Sequence, residues 1–211
     1  MTEEERVDAM ILRYPNLDCC KTEIVEAAMT VIDCFKKGGK LLLCGNGGSC
    51  ADADHMVGEL MKSFEKKRPL PPDFKEGLLR ASPEHGDYLA KNLQTALPAI
   101  SLCSHTALLS AVANDMDADL AYSQQVAGYG REGDVLFAIS TSGNSQNVVF
   151  ATITARAKGL KVIGLTGQHG GRIKQYCDTA ICVPSTTTAE IQEYHLPVYH
   201  TICRIIENKF F

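Results

Sequence analysis

Residues 40–49, Lys40-Leu-Leu-Leu-Cys-Gly-Asn-Gly-Gly-Ser49, contain the pattern that decides the fold. Their first half is a short, continuously apolar run, which predicts a strand buried on both faces. Their second half, Gly45–Ser49, predicts a tight turn that opens a helix reaching about Phe64. A strand of this kind followed at once by a helix is typical of parallel α/β sheets.

Similar apolar runs recur along the chain and predict four more strands, at residues 99–102, 135–140, 161–166 and 179–183. Helices are expected at 3–14, 17–37, from about 104, from about 145 to 158 and from about 188 to 208. We therefore predict one α/β domain over residues 1–211, with its N-terminal helices within 1–37. Its core is expected to be a five-stranded parallel sheet with helices on both faces, a three-layer αβα arrangement.

Residues 65–98 interrupt this alternation and hold five of the eight prolines. Within them, Ser82-Pro-Glu resembles a helix N-terminus and predicts a helix over 83–96. So long a connection is either a surface insertion or a functional segment. Because both of its ends lead to predicted site elements, we hypothesise a helical flap over the site or over a neighbouring subunit's site.

Composition excludes several classes of function. The 211 residues carry a formal net charge of −4 and no long basic run, so we expect no nucleic-acid partner. No apolar run approaches the roughly 20 residues of a membrane span, so we expect no membrane partner. The nine cysteines are odd in number and form no CxxC pair, which indicates free thiols in a reducing compartment. With an acidic N-terminus unlike a signal peptide, the sequence predicts a cytoplasmic protein.

Two loops that follow predicted strands are candidates for binding phosphate. The first, Gly45–Ser49, places free backbone amides at a helix N-terminus, and its candidate ligands are Asn46, Gly47, Gly48 and Ser49. The second, Ser140–Ser145, places four hydroxyls at another helix start, and its candidates are Ser140, Thr141, Ser142 and Ser145. Either loop alone is explained by a tight turn or a helix cap. Two such loops at one sheet edge predict joint binding of a phosphorylated sugar.

A third candidate constellation joins two helices. His55 and Glu59 lie four residues apart on the helix after the glycine loop, and so share a face. Gln192 and His200 lie eight residues apart on the last helix. These nitrogen and oxygen donors suit zinc. The spacing alone is explained as well by a surface pair, so it does not decide for a metal site.

The order and spacing of the motifs resemble one family, the phosphoheptose isomerases of the sugar-isomerase (SIS) fold. The matching stretches are Gly45–Ser49, Asp52–Glu59, Asn114-Asp115, Arg131–Val135, Ser140–Ser145, Leu165–Gly167 and Ile191–His200. The resemblance implies that the glycine loop, Asn114 and Asp115 contact the sugar. It further implies that Ser140, Thr141, Ser142 and Ser145 hold its phosphate.

The resemblance also implies a reaction and a metal. Glu59 and His200 would be the acid/base pair that converts sedoheptulose 7-phosphate to D-glycero-D-manno-heptose 7-phosphate through an enediolate. One zinc ion per subunit would be bound by His55, Glu59, Gln192 and His200, and Gln192 would also contact substrate. Members of the family are homotetramers whose sites are completed across subunit contacts.

The chain departs from the family pattern around the sugar. Ala189 and Glu190 stand where an acid and an arginine are common, and the arginine expected soon after Glu59 is missing. An isomerase of another ketose phosphate therefore stays open. A regulatory binding protein resembling the replication-initiator-associating protein is the alternative from another class. That branch of the fold lacks the acid and the base, so Glu59 and His200 favour an enzyme.

Overall fold

The computed structural model describes residues 2–211, which contain a five-stranded parallel sheet in the order β2-β1-β3-β4-β5. The strands are β1 Leu41–Gly45, β2 Ala99–Ser101, β3 Val135–Ser140, β4 Lys161–Gly167 and β5 Thr179–Val183. All residues of β1 and β3 are buried, as expected for central strands covered on both faces. The predicted sheet is confirmed.

Nine α-helices in the described residues surround the sheet. They are α1 Glu3–Ile11, α2 Lys21–Lys36, α3 Gly48–Met61, α4 Pro72–Ala81, α5 Gly86–Asn92, α6 Thr106–Asp115, α7 Ala121–Tyr129, α8 Gln146–Ala157 and α9 Thr188–Phe210. One face of the sheet, with Leu43 and Phe137, packs against α1, α2, α3 and α9. The opposite face, with Leu42 and Leu136, packs against α7 and α8. The three-layer αβα prediction is therefore confirmed.

The N-terminal helices are shorter than predicted. The helix expected over 3–14 ends at Ile11, and the one expected over 17–37 is divided into a 3₁₀ helix, Pro15–Cys20, followed by α2. Pro15 is the physical reason, because a proline disfavours the helical conformation of the residue before it, here Tyr14, and itself starts the 3₁₀ helix.

Residues 65–98 also differ from the prediction. Helix α4 was not expected, and the helix predicted over 83–96 is formed only over α5. Ser82 ends α4, and its hydroxyl accepts a hydrogen bond from the His85 N–H at 3.1 Å, so it caps a turn between the two helices. The two helices pack against each other as a hairpin above an antiparallel neck at Pro69 and Gln94. Apart from backbone hydrogen bonds to the adjoining Pro71 and Leu93, the structure records no hydrogen bond or ion pair between residues 72–92 and the remainder of the described chain.

The sheet order positions the site. Strand order reverses between β1 and β3, and ligands of open α/β sheets bind beyond the carboxyl ends of strands at such a point. The glycine loop, Gly45–Ser49, follows β1, and the serine loop, Ser140–Ser145, follows β3. Across residues 2–211, no helix has the length and apolar character that a membrane crossing requires.

Candidate active site

The glycine loop and the serine loop are joined by a pair of side-chain amides. Asn46 Nδ2 donates to Asn147 Oδ1 at 2.8 Å, and Asn147 Nδ2 donates to Asn46 Oδ1 at 2.9 Å. The Tyr122 hydroxyl lies within hydrogen-bonding distance of Asn46 Oδ1, at 3.3 Å, and of the Gly45 carbonyl oxygen, at 2.5 Å. The two loops are thus held side by side at the edge of the sheet.

The glycine loop also lies directly under the last helix. A Cβ added at Gly48 would come within 2.4 Å of Gln192 Nε2, so a larger residue here would displace this amide. The neighbouring Gly47 has a φ of 57°, in the left-handed region of the backbone that favours glycine. The close approach explains how Gln192 of α9 reaches the loop that opens α3.

The serine loop places its hydroxyls before α8. Ser140 Oγ and Ser145 Oγ are 3.4 Å apart, and Ser142 Oγ accepts from the Asn144 N–H at 3.1 Å. Gly143 has a φ of 64°, and a Cβ there would lie 2.0 Å from the Gly170 carbonyl oxygen. The loop is therefore folded back tightly, with hydroxyls and backbone amides grouped at a helix N-terminus that favours an anion.

The candidate acid and base lie on two packed helices, Glu59 on α3 and His200 on α9. Glu59 is 9% exposed, and its two carboxylate oxygens face His55 Nε2 at 3.3 Å and Lys62 Nζ at 3.2 Å. The rings of His55 and His200 are 4.9 Å apart and nearly perpendicular. The structure thus brings Glu59, His55 and His200 together.

The environment of His200 favours its neutral form. Burial lowers the pKa of the imidazole, and the nearby His55 and Arg204 lower it further, whereas the Glu59 carboxylate acts in the opposite direction. His200 Nε2 is buried and has no hydrogen-bond partner in the described residues. A neutral ring with a free nitrogen can accept a proton and return it near neutral pH.

The donor set fits a zinc ion. His55 Nε2 and Glu59 Oε1 stand 3.3 Å apart. Two ligands placed 2.0–2.1 Å from a tetrahedral zinc ion are separated by about the same distance, roughly 3.3 Å. The orphaned His200 Nε2 and the Gln192 amide supply two more donors of the right kind. No three His, Cys, Asp or Glu side chains of residues 2–211 surround one point, so the zinc site stays a prediction.

Comparisons with known proteins identify the family of this chain. The model of the SIS domain family matches residues 17–76 and 80–167. The phosphoheptose isomerase of Rhodospirillum rubrum is 42% identical over 195 residues, which cover 92% of this chain and 90% of the relative. That of Burkholderia pseudomallei is 36% identical over 211 residues, 100% of this chain and 92% of the relative. The solved phosphoheptose isomerase of Neisseria gonorrhoeae matches with a TM-score of 0.75 and 34% identity, over 98% of this chain and 100% of the other.

The chain belongs to the phosphoheptose isomerase family. It is therefore a sugar-phosphate isomerase, and the regulatory alternative is set aside.

Two candidate residues of this isomerase lie apart from the others. Asn114 and Asp115 are exposed at the end of α6, and the hydrogen bond recorded for their side chains joins the two to each other, at 2.7 Å. Their contact with the sugar stays a prediction.

Three residues at the site were missed by sequence reasoning. They are Asn147, Tyr199 and Arg68. Asn147 stands two residues after Ser145, so its position at a helix start was a usable signal. Tyr199 precedes His200, but its partners on α3 are distant in sequence. Arg68 ends a Lys-Lys-Arg run, which is typical of a solvated surface, yet Arg68 is 1% exposed.

Proposed function

We propose that this isomerase converts sedoheptulose 7-phosphate to D-glycero-D-manno-heptose 7-phosphate through an enediolate. The observation that carries the proposal is the grouping of Glu59 and His200 around His55, while the two loops are joined through Asn46 and Asn147. A carboxylate, an imidazole and a phosphate cradle are the groups that an aldose–ketose isomerisation needs.

In this mechanism Glu59 takes a proton from one carbon of the substrate and returns it to the neighbouring carbon. Its burial limits competition from water, and its carboxylate is held between the Lys62 ammonium, which donates a hydrogen bond at 3.2 Å, and His55 Nε2 at 3.3 Å. His200, neutral in its buried setting, moves protons between the two substrate oxygens. The hydroxyls of Ser140, Ser142 and Ser145 bind the phosphate and so orient the sugar.

We include a zinc ion in the proposal, held by His55, Glu59, Gln192 and His200. When bound it would polarise the carbonyl and stabilise negative charge on the enediolate oxygen. Glu59 would then act both as a zinc ligand and as the base. Its two carboxylate oxygens face different partners, Oε1 facing His55 and Oε2 facing Lys62.

We also propose a homotetramer with one zinc ion per subunit, located in the cytoplasm. Support for self-association comes from large apolar side chains exposed at three places, Leu12 at 85%, Met116 at 56% and Leu196 at 42%. Met116 follows the outlying Asn114 and Asp115, so a neighbouring subunit that covers it would also meet these two residues.

The proposal is tested by incubating the protein with sedoheptulose 7-phosphate and separating aldose from ketose product. A parallel panel of shorter ketose phosphates distinguishes the alternative substrate class. The proposal is supported if sedoheptulose 7-phosphate is converted with the highest kcat/KM of the panel. A higher kcat/KM for another ketose phosphate would make that compound the substrate instead. Binding without conversion of any ester would contradict the isomerase mechanism.

A further inference from the structure

The hydroxyl of Tyr199 links two side chains of α3. Tyr199 is 1% exposed and precedes His200 on α9. Its oxygen lies 3.2 Å from Asp52 Oδ1 and 3.0 Å from His55 Nδ1. His55 therefore has a partner on each nitrogen, Tyr199 on Nδ1 and Glu59 on Nε2.

A count of protons decides the direction of these hydrogen bonds. An ionised carboxylate accepts but cannot donate, and a tyrosine hydroxyl has one proton to give. When the hydroxyl donates to Asp52, its oxygen is left to accept a hydrogen bond from His55, so Nδ1 must carry a proton. A tyrosine hydroxyl ordinarily titrates at about pH 10, so it keeps its proton at neutral pH.

We propose that Asp52 and Tyr199 hold His55 with a proton on Nδ1, so that the Nε2 lone pair faces the Glu59 carboxylate. Two acceptors 3.3 Å apart repel each other unless a cation lies between them, either a proton or a metal ion. Tyr199 is thus a positioning residue for the metal site, and the inference rests on the zinc included in the proposed function. A hydrogen-bond acceptor at Nδ1, here the Tyr199 hydroxyl that donates to Asp52, also makes the histidine a stronger ligand at Nε2.

Packing of the tyrosine ring is the competing explanation for its burial. The Tyr199 ring lies edge-on to His55 at 5.6 Å and to His200 at 5.0 Å. Tyr199→Phe keeps this ring and removes only the hydroxyl, so the variant separates the hydrogen bonds from the packing. Tyr194→Phe is the matched control, because Tyr194 lies on the same helix and its hydroxyl accepts from Asn16 Nδ2 at 2.9 Å, away from His55.

The first measurement needs neither metal nor substrate. Nitrogen-15 NMR of metal-free protein at about pH 7 reports which His55 nitrogen carries a proton and how fast that proton exchanges with water. We expect a protonated, exchange-protected Nδ1 in the parent and in Tyr194→Phe. In Tyr199→Phe the protection should be lost. An unprotonated Nδ1 in the parent, or unchanged protection in Tyr199→Phe, would overturn the proposal.

The second measurement is zinc affinity by competition with a chromogenic chelator. Loss of a hydrogen-bond partner of a metal-binding histidine weakens metal binding by about 10–100-fold. Tyr199→Phe should therefore raise the Kd for zinc by this factor, and Tyr194→Phe should leave it unchanged. Asp52→Asn should weaken binding similarly, because an amide N–H can bond the tyrosine oxygen and turn its proton toward Nδ1. Equal zinc affinity in parent and Tyr199→Phe would contradict the proposed positioning of His55 by Tyr199. Absence of zinc binding in every form would contradict only the metal of the proposed function, since the NMR result decides the role of Tyr199 by itself.

Discussion

Asn46 and Asn147 exchange two hydrogen bonds through their side-chain amides, at 2.8 and 2.9 Å, across 101 residues of sequence. One of them belongs to the glycine loop and the other to the helix that follows the serine loop. Because each amide satisfies the other, neither loop can shift without breaking both bonds. The two candidate phosphate loops therefore act as one preformed surface.

Asn147→Ala tests this surface. The loss of two hydrogen bonds leaves Asn46 without its partner and frees the loops from each other, so we expect KM for the sugar phosphate to rise about tenfold with a smaller change in kcat. Steady-state kinetics measures both. Asn16→Ala, which loses a bond from Asn16 Nδ2 to the Tyr194 hydroxyl, is the control and should behave like the parent. A parent-like KM in Asn147→Ala would show that the pair has no part in substrate binding.

Arg68 supplies a buried guanidinium that joins the two catalytic helices. It donates to Glu207 Oε1 and to the Glu59 carbonyl oxygen, both at 2.9 Å, and to the Leu60 carbonyl oxygen at 2.6 Å. Arg68→Met removes the cation that pairs with the buried Glu207 carboxylate, so we expect a loss of about 3–5 kcal/mol in the free energy of unfolding. Urea denaturation measures the loss. Arg80→Met removes the exposed pair with Glu76 and should change stability by less than about 0.5 kcal/mol; equal effects of the two variants would contradict this role of Arg68.

Stability should fall in mild acid because of His195, which is fully buried on α9. Burial lowers its pKa from 6.5 to about 4, although the Thr166 backbone opposes the shift. The unfolded chain therefore binds this proton first, and stability present above about pH 6.5 is lost as the pH falls toward 4, by about 3 kcal/mol. Unfolding free energies measured from pH 7 to pH 4 should show a steeper slope in the parent than in His195→Met. Identical slopes would exclude His195 as the cause.

The hairpin of α4 and α5 tests the flap hypothesis. Apart from Gly86 it buries no residue, so replacing residues 72–92 with a short Gly/Ser linker should change the free energy of unfolding by less than about 1 kcal/mol. The neck at Pro69 and Gln94 should be kept, because Gln94 Oε1 accepts from the Ser63 N–H at 2.7 Å beside the Glu59 helix. If the hairpin covers a sugar site, the deletion should weaken substrate binding. An unchanged KM would show that the hairpin has no role in substrate binding.

The sheet could be predicted because its strands carry local signals. β1 and β3 are apolar throughout and each is followed by a loop of glycine or hydroxyl residues, so period and turn chemistry agree. The hairpin could not be predicted in the same way. Pro71 and Pro72 resemble a loop in sequence, whereas in the structure they start α4, and they masked the one-sided apolar pattern of the residues that follow.

In the candidate site, too, some contacts could be predicted from the sequence and others could not. The spacing of His55 and Glu59 follows from helix geometry, so their contact was predictable. The contact between α3 and α9 depends on the fold, and spacing alone did not decide whether His200 would meet His55. The side-chain partners of Tyr199 and Arg68 are more than 130 residues away in sequence, at Asp52, His55 and Glu207, and no local pattern identifies such pairs.

The central claim, that Glu59 moves the substrate proton, is tested most directly by turnover of Glu59→Gln in D₂O. Parent enzyme should form product that carries solvent deuterium at the carbon that receives the proton. Glu59→Gln keeps the shape of the side chain but not its basicity, so turnover and deuterium incorporation should fall by at least about 10³-fold, with a much smaller change in sugar-phosphate affinity. Near-normal turnover with deuterium incorporation in Glu59→Gln would contradict the account.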